Sequence, residues 1–134
     1  MTRHEIRNEV FLVLFSLDFH EGENMRDLII RYLDETAEEK AEDFERAEII
    51  KKVLEIKDME SELDKKIAEK ATGWKLERIG KAELNILRLA IYEIEKDDEV
   101  PVKVAINEAV NLAKEYCNDD APSFINGILG KIAG

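Results

Sequence analysis

Between Thr2 and Phe19 the apolar residues fall three or four apart, placing Ile6, Val10, Val13, Leu14 and Leu17 on one side of a helix. Phe11 and Phe15 widen the stripe and predict burial on more than one flank. Thr2 with Glu5 has the spacing of a capping box. Glu21-Gly22 ends this element, and Asn24 is placed to cap a second helix bearing Met25, Leu28, Ile29 and Tyr32 with Leu33. The acidic stretch from Asp34 to Asp43 reads as a loop. A third helix is expected to turn Phe44, Ala47, Ile50, Val53 and Leu54 inward. The pattern changes phase near Lys57-Asp58, so that Asp58 caps a fourth helix with Met59, Leu63, Ile67 and Ala71 on its inner side. Thr72-Gly73 stops that helix, and Trp74 reads as a core anchor at the junction.

From Ala82 to Ile94 the apolar surface is wide: Leu84, Leu87, Ile91 and Ile94 share one face, and Ile86, Leu89 and Ala90 the next. Such a helix is expected to be central. Lys96 to Glu99 forms a charged turn, and Pro101 suits the first turn of a sixth helix because its missing N–H is not needed there. Val104, Ala105, Ala109, Val110 and Ala113 give that helix an apolar face, interrupted by Asn107 and Glu108. Asn107 has two readings: a hydrogen bond to buried loop backbone, or reach toward a ligand. Cys117 to Asp120 is a loop, with Asp119-Asp120 as cap chemistry, and a last helix runs from about Pro122 to Ile132. Gly127 would weaken it unless another helix, the first or the fifth, approaches closely there. The sum is an all-α chain of about seven helices. It reads as a single domain, 1–134, built from two small packed helical bundles of roughly 1–72 and 73–134.

Composition narrows the function. Of 134 residues, 45% are hydrophobic and 38% charged, with two prolines and six glycines, which suits a folded helical protein. No apolar run approaches the roughly 20 residues that span a bilayer, and no secretory leader is evident, so no membrane association and a cytoplasmic location are expected. The single Cys117 has no internal disulfide partner, and no Cys/His set has metal-ligand spacing. The net charge of −11 argues against binding nucleic acid unaided, and most of the acid lies between Asp18 and Glu69. Phosphate loops are absent, and His4 and His20 stand apart from any triad pattern, so catalysis and a bound cofactor are not expected. Phe124 is a core aromatic by default, or a ring at a helix edge on which a base could stack.

Three blocks occur in order: TRHEIRNEVFLVLFSLD, then GWKLERIGKAELNILRLAIYEI, then PVKVAINEAVNLAKEY followed by FINGIL. Together they resemble the NusB family of bacterial transcription antitermination factors across nearly the whole chain. The resemblance implies a compact helical bundle that binds boxA-type single-stranded RNA together with the ribosomal protein NusE. It further implies service to an RNA polymerase antitermination complex on rRNA operons. By the same resemblance, Arg3, His4 and Arg7 supply phosphate contacts at the first helix, His4 standing where many relatives carry Arg. Lys114, Ser123 and Phe124 complete the RNA surface, and Phe15 and Glu83 face NusE. Ala121 and Ser123 stand where relatives usually carry Ser and Lys, which implies weak RNA binding without the partner. A homodimer is open, since some relatives self-associate, with Phe11 or Phe15 available for that contact. A protein-binding helical adaptor with little RNA affinity is the alternative. RNA cytosine methyltransferases carry a similar N-terminal domain, but these 134 residues hold no methyl-donor fold.

Overall fold

The computed structural model of the chain describes residues 1–20, 22–36, 42–73 and 75–134. Expectations placed on Glu21, on 37–41 and on Trp74 lie outside the described residues. Seven α-helices and no strand occur among them: α1 Arg3–Leu17, α2 Met25–Thr36, α3 Asp43–Asp58, α4 Glu60–Lys70, α5 Lys81–Lys96, α6 Val102–Tyr116 and α7 Ala121–Ala133, with a short 3-10 turn at Leu76–Arg78. They divide into two compact units, Met1–Asp58 and Met59–Gly134. The division expected at Thr72-Gly73 therefore falls fourteen residues earlier. The reason is packing: α4 lies against α5 and α7, and its Leu63 and Ile67 are wholly buried. Gly73 still ends α4's segment in the left-handed region (φ +83), where a side chain would be strained.

In the first unit α1, α2 and α3 pack pairwise. The capping box at Thr2 and Glu5 is formed in both directions, at 3.1 and 2.9 Å. Asn24 caps α2 through the Asp27 N–H at 3.1 Å. The α2 helix runs on to Thr36, so Asp34 to Thr36, expected in the acidic loop, are helical. The inward face of α3 is Ile49, Val53 and Ile56, not the stripe through Phe44, Ala47, Ile50 and Leu54. Phe44 is 70% exposed. This helix carries two apolar stripes, and the buried one shares its side with Glu45 in the first turn. Glu45 accepts the Glu42 N–H at 2.9 Å and meets the N-terminal ammonium at 2.6 Å, so its inward-facing carboxylate is satisfied. Those bonds hold the Glu45 carboxyl below its usual range, the ammonium contributing most. Lys57 and Asp18 pair at 3.6 Å, joining the ends of α3 and α1.

In the second unit α5 is central, touching α4, α6 and α7, and every residue from Asn85 to Glu93 is buried. Arg88 is tied to Asp64 on α4 through two bonds of 2.7 and 2.9 Å, and reaches Asn85 at 3.2 Å and Glu60 at 3.0 Å. Met59, not Asp58, stands at the start of α4, without a side-chain cap; Asp58 closes α3. Pro101 likewise sits one place before the first turn of α6, its carbonyl accepting the Ala105 N–H at 3.0 Å. Ala105, Ala109, Leu112 and Ala113 form the buried stripe of α6. Asn107 is exposed, because two residues along a helix from Ala105 turn the chain about 200°. It therefore fills no buried loop. Gly127 is also exposed, and a Cβ added there meets nothing within 4 Å, so close helix approach is not its reason.

Candidate functional site

The residues singled out from the sequence fall on four helix segments. At the start of α1, Arg3 and His4 are exposed. Arg3 pairs with Glu48 of α3 at 2.7 Å. A solvent-exposed pair of this kind exchanges readily, at a cost of roughly 0–1 kcal/mol, so the guanidinium remains usable by a phosphate. Arg7 differs. It is only 9% exposed, so most of its side chain is packed within the fold. Arg3 and Arg7 share one face of α1, so they differ in depth along the helix: Arg3 stands at its free end and Arg7 one turn further in.

Phe15, three turns on, is half-buried in an aromatic ladder. It stacks on Phe11 with ring centroids 6.0 Å apart and takes Phe19 edge-on at 5.3 Å. Phe19 is 62% exposed and continues the ladder outward. The i, i+4 spacing of these rings follows from one helical turn each. Phe19 was not among the residues expected to act, although the spacing 11, 15, 19 was visible.

In the second unit a groove of about 660 Å³ is lined by Arg78, Ile79, Gly80, Glu83, Asn118, Asp120, Ala121 and Phe124. Three segments build it: the turn leading into α5, the loop after α6, and the first turn of α7. It gathers Glu83 and Phe124, which the sequence had assigned to different ligands. Arg78 and Gly80 join them, and neither was singled out. Phe124 is half-exposed on its wall. Ser123 is exposed in the same turn of α7 and Lys114 in the last turn of α6, but neither lines the groove. Asp120 occupies the capping position of α7 without making a side-chain cap bond, and Ala121 beside it is buried. The cap expected of Asp120 is thus not formed.

The Cys117 thiol, half-buried at the end of α6, has the Glu83 carboxylate as a neighbour. Burial first, and then that carboxylate, push the thiol up to about 12. Among the described residues no cluster of His, Cys, Asp and Glu could hold a metal ion, and no helix is long and apolar enough to cross a membrane. The geometry suits binding: one aromatic ring, carboxylates and an arginine on an open groove.

The profile of the NusB family matches residues 4–134. The transcription antitermination protein NusB of Lachnoclostridium phytofermentans is 46% identical over 132 residues, 98% of either chain. The solved structure of T. maritima NusB superposes with a TM-score of 0.89 at 32% identity, covering 99% of this chain and 91% of that one. A crystal structure of the antitermination factors NusB and NusE in complex with dsRNA gives 0.82 at 27% identity, covering 99% and 98%. Identity at this level, over the full length of chain and relatives alike, means that the chain belongs to the NusB family, a family of transcription antitermination factors and not of enzymes.

Proposed function

We propose that the chain is an RNA-binding adaptor that takes up boxA-type single-stranded RNA jointly with NusE and supports antitermination by RNA polymerase on rRNA operons. One observation carries the reading: Phe124 stands half-exposed on an open groove beside Glu83 and Arg78, in a family whose relatives include a NusB–NusE–dsRNA assembly. A ring so placed can stack on an unpaired base, which a duplex does not offer; single-stranded RNA is therefore preferred. Arg3 and His4 at the start of α1 and Lys114 on α6 would supply phosphate contacts. Phe15 and Glu83 would face NusE, the first as an aromatic anchor and the second as a carboxylate for a basic side chain.

With a net charge of −11, the free chain repels RNA and attracts a basic partner. Co-assembly follows as the mechanism. Two to four phosphate contacts predict a salt slope of about −1.4 to −2.8 in log affinity, shallow for a nucleic-acid binder. The burial of most of the Arg7 side chain limits its reach toward RNA and favours a second reading, an adaptor that binds protein with little RNA affinity of its own. A gel shift on boxA RNA with and without NusE separates them. RNA retained only when NusE is present supports the first, and no retention in either lane supports the second.

A further inference from the structure

Glu83 folds back along its own helix toward Gly80, three residues earlier. A Cβ built on Gly80 would lie 2.0 Å from Glu83 Oε2 and 3.1 Å from its Cδ. No real side chain tolerates that approach. The backbone of Gly80, at φ −61 and ψ 150, is open to any residue, so the glycine is needed for space and not for conformation. The same carboxylate neighbours the Cys117 thiol and helps to keep it protonated. We propose that Gly80 and Cys117 are positioning residues: together they form a seat that holds the Glu83 carboxylate in one orientation on the wall of the groove, ready for a basic side chain of NusE. The inference rests on the reading of Glu83 as a partner contact. A carboxylate already fixed loses less rotamer freedom when it binds, so the seat contributes affinity without touching the partner.

Because the displaced atoms are the tip of a flexible side chain, Gly80→Ala should fold normally and evict the carboxylate. Titration calorimetry with NusE on the wild type, Gly80→Ala, Glu83→Gln and the double variant forms a mutant cycle. Gly80→Ala is expected to weaken NusE binding about tenfold in the wild-type background and not at all in the Glu83→Gln background. An equal loss in both backgrounds, or none where Glu83→Gln itself is costly, would overturn the proposal. A second arm needs no partner. In the free chain both Gly80→Ala and Glu83→Gln should speed alkylation of Cys117 by iodoacetamide at mildly alkaline pH, since each removes the carboxylate from the thiol. Unchanged rates contradict the seat. Faster alkylation together with a Glu83→Gln variant of unaltered NusE affinity leaves the seat standing and refutes the partner role. Should Gly80→Ala fold poorly, Cys117→Ser, which keeps a donor, should retain NusE affinity and Cys117→Ala should lose it; equal affinities count against the proposal.

Discussion

Replacing Arg88 by methionine tests what holds α4 to α5. The guanidinium is 5% exposed and spends its donors on Asp64, Asn85 and Glu60. Methionine fills much of the same volume, so the cavity contribution is small and the lost ion pairs dominate. Removing one partner of a buried pair costs about 3–5 kcal/mol. Here the Asp64 and Glu60 side chains keep 20% and 29% of their exposure and recover some hydration, whereas Asn85 is fully buried. The low end, about 3 kcal/mol, is therefore expected, which for a chain of this size lowers Tm by roughly 10 °C. Arg88→Lys keeps the charge but cannot make the two-pronged contact with Asp64, and should lose about half as much. Far-UV circular dichroism melts of the three proteins measure this. A fall of less than about 2 °C for Arg88→Met, or equal falls for the two variants, would refute the assignment of the stability to this network.

Further outcomes follow from single residues. The Cys117 thiol is raised from near 9 to about 12, so the folded state keeps its proton where the unfolded chain loses it. Its contribution is whole below pH 9 and is lost as pH climbs toward 12, and denaturant midpoints of wild type and Cys117→Ser should diverge only across that window. Gly127→Ala, in open space within α7, should raise stability by about 1 kcal/mol, seen as a higher Tm; a lower one would mean that the glycine is required locally. Ser123→Lys adds a cation to the first turn of α7 and should steepen the salt slope of RNA binding by about 0.7, read from gel shifts across a salt series. Phe124→Ala should weaken boxA binding by roughly 5- to 150-fold if the ring stacks on a base, with NusE affinity unchanged.

Features written into a few adjacent residues were legible in the sequence. The Thr2/Glu5 box, the Asn24 cap and the Gly73 stop each depend on local backbone bonds, and each stands where spacing placed it. The centrality of α5 was readable because an apolar surface so wide has no other use. Features decided by competition were not. On α3 two apolar stripes compete, and the buried one lies on the side of Glu45, whose bonds to the N-terminal ammonium and the Glu42 N–H no spacing rule foretells. Asn107 looked internal only because its neighbours are apolar. At the candidate site, sequence named Glu83 and Phe124 but could not bring α5 and α7 to one groove, nor reveal that Gly80 leaves room for a carboxylate. Arg7 stands among basic residues in the sequence, yet one helical turn separates an exposed cation from a buried one.

The adaptor reading is tested most directly by titrating labelled boxA single-stranded RNA with this chain alone, with NusE alone, and with both, at one physiological salt concentration. The account predicts weak or no retention in the first two series and tight retention in the third, reduced by Phe124→Ala. RNA held equally well without NusE, or not held by the pair at all, would contradict it.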